Sequence, residues 1–269
     1  MSGVVVFSPH PDDAALSLGP YIAGERRRGV AVTVVTVFSR GARPGPGRAQ
    51  DGPADRAWAG RYLDGRRRAR EDRDACRALG ARHLAQGQTD AAARRDARGA
   101  AIYAAEAALR RAPPPADEPH RAAAHAAMDR LTRRPTGRLF FPLGIGGHVD
   151  HGIVAGYLAA RPRLWERAWL YEDLPYAVVD PGDAGRRRRE MADAGWRAEF
   201  LAVEEADVQA GIAAALAYRS QIAALFPSPA SAAAVIRSHL LRCASDAAVG
   251  GWAIRCWRHP GRDGSEPRC

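Results

Sequence analysis

The chain has 269 residues, 46% of them hydrophobic, which is enough for one sizeable α/β domain and argues against wholesale disorder. Its formal charge is +10, and every one of its 40 basic residues is arginine. The absence of lysine excludes a Schiff-base lysine and a Walker-type phosphate loop.

In chain order, Val4-Val5-Val6-Phe7 reads as a short buried strand and residues 13–28 as a helix stopped by Gly29. Residues 30–38 form a longer β-branched strand. Neither strand alternates cleanly, which suits a parallel sheet covered on both faces. His10-Pro11-Asp12-Asp13 falls between the first strand and the helix, at the edge where open α/β sheets bind ligands. An imidazole nitrogen and a carboxylate oxygen suit Zn²⁺, and the second carboxylate suits proton removal from water. The alternative is that Asp12 and Asp13 cap the helix. Residues 40–60, rich in Gly, Pro, Asp and Arg, predict a loop that folds over a substrate. A helix over 63–79 follows, then helical segments in 99–134 broken by Pro113-Pro114-Pro115. Strands are expected at 138–143, 168–173 and 197–203, and one helix over 203–225. Residues 227–269, with Trp252 and Trp257, read as a C-terminal extension packed on a single domain 1–269, fraying over the last dozen residues.

A second cluster repeats the first. Arg138-Leu139-Phe140-Phe141-Pro142-Leu143 runs into Gly144-Ile145-Gly146-Gly147-His148-Val149-Asp150-His151, and an amphipathic segment begins at Gly152. Ends of parallel strands lie side by side, so the two clusters can converge. Zinc hydrolases commonly use three protein ligands. His10, Asp13 and His151 fill that quota and leave Asp12, His148 and Asp150 unassigned. A His/Asp pair is also what a general acid needs. Taken singly, His148 reads as a surface histidine and Asp150 as a helix cap.

These two motifs resemble those of the PIG-L/LmbE-like family of zinc-dependent amino-sugar N-deacetylases, marked by His-Pro-Asp-Asp-Glu and His-x-Asp-His. The resemblance implies a Rossmann-like α/β fold, a mostly parallel sheet with helices on both faces. It implies that His10, Asp13 and His151 bind zinc (or ferrous iron), that Asp12 is the general base, and that His148 is the acid or oxyanion stabiliser, supported by Asp150. Arg68-Ala69-Arg70-Glu71-Asp72 matches the family's Arg-x-x-Glu-Asp helix and puts Arg68 near the substrate, although Arg66-Arg67-Arg68 also reads as solvated charge. Asp90 falls at a substrate-side position. Tyr171-Glu172-Asp173-Leu174-Pro175-Tyr176 and Tyr218-Arg219-Ser220-Gln221 resemble further family segments. Ala14 departs from the usual glutamate, and Ala93 from a common tyrosine. The activity implied is removal of the N-acyl group from an N-acetylglucosamine moiety, with an N-acetylated amino-sugar glycoside from specialised metabolism as partner.

Two rivals rest on less. Gly144-Ile145-Gly146-Gly147 suggests a nucleotide-binding oxidoreductase or transferase, but a third fingerprint glycine is missing at Val149. Ala14 suggests a family member that holds zinc without catalysis. The arginines come in scattered clusters without zinc-finger spacing or an aromatic RNA-binding motif, so no specific nucleic-acid partner is expected. Cys76, Cys243, Cys256 and Cys269 make no Cys-x-x-Cys pair. With no secretory pattern and no apolar run long enough to span a bilayer, the expected location is the cytoplasm. A homo-oligomer is compatible with the sequence.

Overall fold

The valine-rich runs form strands in the computed structural model, which describes residues 3–41, 64–133 and 137–260. The loop expected over 40–60 and the fraying expected over the last dozen residues fall mostly outside the described residues. Strands β1 (Val4–Ser8), β2 (Val32–Thr36), β3 (Arg82–Ala85), β4 (Arg138–Pro142), β5 (Ala168–Tyr171), β6 (Arg197–Val203) and β7 (Trp252–Arg258) make one sheet in the order β3-β2-β1-β4-β5-β7-β6. The pairs from β3 to β5 are parallel, and β7 runs antiparallel to both β5 and β6. Flanked by helices, this is the expected Rossmann-like α/β class. Val4, Val6 and Phe7 of β1 are all buried, as a central strand covered on both faces requires. The sheet grows outward in opposite directions from β1 and β4, so the crevice beyond their carboxyl ends is the switch point where such folds bind ligands.

Two sequence expectations change. The helix expected over 203–225 is two helices, α7 (Glu205–Leu216) and α8 (Arg219–Leu225). They part at Tyr218, whose hydroxyl is drawn 2.7 Å from Asp72 Oδ1. The C-terminal stretch is more than an appendage. It supplies α9 (Pro229–Asp246) and then β7, an interior strand of the sheet. No helix among the described residues is long and apolar enough to cross a membrane.

Helix α1 (Asp13–Arg27), which leaves the first cluster, packs on α7 through glycine. A Cβ on Gly211 would lie 2.4 Å from the Pro20 nitrogen and 2.5 Å from its Cδ. The two backbones touch where Pro20 has no N–H to bond within α1. Gly211→Val should therefore destabilise the protein by about 1–3 kcal/mol in denaturant unfolding, through overpacking. Gly156, in the helix α4 (Val149–Ala159), is the control, because a Cβ there meets nothing within 4 Å. Gly156→Ala should stabilise by about 0.5–1 kcal/mol.

Candidate metal centre and pocket

The turn after β1 is built from its own polar groups. Ser8 Oγ donates to the His10 carbonyl at 2.6 Å and accepts from the Ala14 N–H at 3.0 Å. The His10 N–H donates to Asp13 Oδ2 at 2.8 Å. Asp12 is held at φ +104°, a left-handed conformation that costs a non-glycine residue on the order of 1–3 kcal/mol. Its carboxylate makes no capping bond to α1, so the helix-cap alternative fails for it.

Asp13 Oδ2 also lies 3.4 Å from His10 Nδ1 and 3.3 Å from His151 Nε2. The far nitrogen of each ring is held by another carboxylate. His10 Nε2 donates to Asp150 Oδ2 at 2.9 Å, and His151 Nδ1 to Asp173 Oδ1 at 2.7 Å. The donor atoms of His10, Asp13 and His151 lie within 4.8 Å of one another. Two nitrogens and one oxygen, with each imidazole oriented by a carboxylate from behind, fit a divalent cation with mixed N/O preference. Burial alone would raise Asp13, but His151 and His10 hold it well below the usual carboxylate range. Burial would lower His10, but its bonds to Asp13 and Asp150 carry it up to about 9. The site attracts positive charge.

Asp12, buried beside this group, is pushed the other way. Burial first, and then the negative Asp13, lift it to about 8. His148 caps α4, its Nδ1 accepting the Asp150 backbone N–H at 3.1 Å. Burial, reinforced by the charge of His10, pushes His148 well below the usual histidine range. A neutral ring that accepts at Nδ1 carries its proton on Nε2. The sequence reading had Asp150 supporting His148; in the structure the Asp150 side chain bonds His10 Nε2, and it is the Asp150 backbone N–H that meets the His148 ring.

Arg68 is buried while Arg66 and Arg67 are exposed, and its Nη1 donates to Asp90 Oδ2 at 2.9 Å. Both line the pocket with His10, Asp12, Asp13, His148 and His151, so the eight residues singled out from sequence converge, with Asp150 just behind. Glu106, Leu109 and Arg110, which the sequence did not mark, also line the walls, together with Tyr176 and Gln221 from the two further segments that it did. Gly146, at φ +88°, lets the Tyr176 ring lie against its backbone, where a Cβ would come within 2.5 Å. The glycine turn that suggested a nucleotide is already satisfied. Asp173 Oδ2 accepts from the Gly144 and Ile145 N–H groups at 2.7 and 2.9 Å, and Asp183 accepts from Gly146 at 2.7 Å.

Networks behind the walls fix them. Asp72 accepts from Thr36 Oγ1, His83 Nε2 and the Tyr218 hydroxyl, each at 2.7 Å, and Glu71 accepts from the Ser220 N–H at 3.0 Å. The helix α2 (Gly65–Ala78) that carries Arg68 is thereby tied to the Tyr218-Arg219-Ser220-Gln221 segment. On the other side, Glu172 takes Arg188 through Nε and Nη2 at 2.8 and 2.6 Å, and Arg255 at 3.3 Å. Asp173 belongs to the Tyr171–Tyr176 segment that the sequence marked at a strand end without giving the residue a role of its own; the structure sets its carboxylate behind the His151 ring.

Residues 5–161 match the family model described as PIG-L: GlcNAc-PI de-N-acetylase. A 2'-N-acetylparomamine deacetylase from Streptomyces fradiae is 34% identical over 191 residues, 69% of this chain and 62% of that protein. The chain thus spans less than two thirds of the length of this curated relative. The zinc-inhibited form of teicoplanin deacetylase Orf2 has the same fold, with 23% identity, coverage of 95% of this chain and 97% of that one, and a TM-score of 0.75. The A40926 pseudoaglycone deacetylase Dbv21 is 25% identical, with 96% of each chain covered and a TM-score of 0.69.

His239, on α9 beside the Glu172 network, is buried and pushed down to about 4, by burial first and then by Arg255 and Arg188 against the pull of Glu172. Its folded value lies below its unfolded one, so its contribution is complete above about pH 6.5 and is lost as pH falls toward 4. Unfolding free energy measured by urea titration should therefore drop over that interval by about 3 kcal/mol more in the wild type than in His239→Gln.

Proposed function

We propose, for a chain that belongs to the PIG-L family, that it removes the N-acetyl group from an N-acetylglucosamine unit of a specialised-metabolite glycoside in a zinc-dependent hydrolysis. The observation that carries this reading is the grouping of three donors, on His10, Asp13 and His151, beside an uncapped buried carboxylate, Asp12, and a neutral imidazole donor, His148. The relatives named as deacetylases of 2'-N-acetylparomamine and of the A40926 pseudoaglycone support both the reaction and the kind of substrate. Two imidazole nitrogens and one carboxylate oxygen suit Zn²⁺, and the same set suits ferrous iron, so metal content is measured for both.

His10, Asp13 and His151 would hold the ion. Bound there, it supplies Lewis acidity toward an amide carbonyl and makes water a stronger acid. Asp12, lifted toward neutrality, suits removal of a proton from the attacking water. His148 donates its Nε2–H to the carbonyl oxygen as negative charge develops there. As the C–N bond breaks, the proton collected by Asp12 passes to the leaving amine, giving acetate and a free amino sugar. The buried Arg68–Asp90 pair presents donors and acceptors to sugar hydroxyls, while Leu109 and Tyr176 provide an apolar wall.

The test is acetate release from a panel of N-acetylglucosaminides, with metal content measured on the same sample. Asp12→Asn should keep its zinc and lose activity by about 10²–10⁴-fold. His151→Ala should lose the metal. Unchanged turnover in the first variant removes Asp12 from the mechanism, and full occupancy in the second overturns the ligand set.

A further inference from the structure

Arg94 is a charged side chain with no exposed surface. Burying a guanidinium costs several kcal/mol unless its donors are matched, and a well-packed apolar residue would fill the slot without that cost. Each of its three nitrogens donates. Nη1 donates to Asp117 Oδ1 and Oδ2 at 3.1 and 2.9 Å, Nε donates to the Thr89 carbonyl at 3.0 Å, and Nη2 donates to Asp150 Oδ1. The guanidinium carbon sits 4.7 Å over the Phe38 ring.

The Asp150 carboxylate passes this order on to the metal centre. Its Oδ2 accepts from the Ala91 N–H at 3.0 Å and from His10 Nε2 at 2.9 Å. A carboxylate only accepts, so Nε2 carries a proton toward Asp150, and Nδ1, 3.4 Å from Asp13 Oδ2, is the nitrogen turned toward the other ligands. We propose that Arg94 is a positioning residue for the metal centre: by aiming Asp150 at His10, it fixes the tautomer and ring angle with which His10 offers Nδ1. The inference rests on reading His10, Asp13 and His151 as metal ligands. Arg94 has a second attachment that can be separated from this one. Asp117 also accepts from the Tyr103 hydroxyl at 2.9 Å, and the chain between those two residues carries the pocket-lining Glu106, Leu109 and Arg110. Asp117 therefore ties Arg94 to the pocket wall, and Asp150 ties it to the metal ligand.

The experiment compares Arg94→Met with Asp117→Asn in the full-length protein. Zn²⁺ affinity is measured by chelator competition, and the Co²⁺-substituted absorption spectrum reports ligand geometry. Arg94→Met should weaken Zn²⁺ binding by about 10–100-fold and alter the Co²⁺ spectrum, as loss of a carboxylate–histidine orientation does. Arg94→Lys should recover part of the affinity. Asp117→Asn keeps the bond from Arg94 to Asp150 and should bind Zn²⁺ like the wild type. Wild-type affinity in Arg94→Met, or an equal loss in Asp117→Asn, overturns the proposal. If the methionine variant does not fold, Arg94→Gln, which retains a donor for Asp117, replaces it in the same comparison. None of these readouts uses acetate release, so an inactive protein counts against the deacetylase reading and leaves this result standing.

Discussion

The pocket is organised around one oxygen atom, Asp13 Oδ2. A backbone N–H and two imidazole nitrogens face it from within 3.4 Å. Such a concentration of buried polar groups persists only if each is held from behind, because an unpaired one would be costly. Asp150 and Asp173 meet that need from opposite sides of the crevice, and each is occupied further back, by Arg94 and by the Gly144–Ile145 turn. Placing the strand ends of β1, β4 and β5 side by side is what lets these pairings form.

The arginine-rich composition takes on a different meaning in this light. Scattered guanidinium groups suggest a solvated surface, and many are solvated. Arg68, Arg94 and Arg255 are buried instead, each against a carboxylate. A planar fork matches a carboxylate edge with two donors, which a flexible ammonium does not. Asp72 is met without arginine, by three donors from a strand, a neighbouring strand and a helix break.

Much of this was legible in the sequence. The β-branched runs, the two His/Asp clusters and Gly29 place the central strands, the crevice and the end of the first helix, because each signal is local. The polar partners were not legible, for a physical reason. Glu172 and Asp173 are adjacent acids, yet one enters an arginine network and the other a histidine site, because successive side chains leaving a strand point to opposite sides. Arg94 meets Asp117 and Asp150 only through the tertiary fold. Strand β3 reads Arg82-His83-Leu84-Ala85, an edge strand with no buried face to give it a pattern. Strand β7 escaped notice because its partners, β5 and β6, lie far back in the chain.

That late strand sets an order of events during synthesis. Among the described residues β6 pairs only with β7, so residues 197–203 find their partner strand there once the chain has been made as far as Arg258. Emerging from the ribosome, the protein can close β3 to β5 early and must hold β6 in waiting, with its unpaired edge available to other chains. The strand ends that carry the His/Asp clusters can come together early in translation. The pocket wall with Gln221 follows β6 in the chain, and the far side of the sheet is sealed only when β7 arrives.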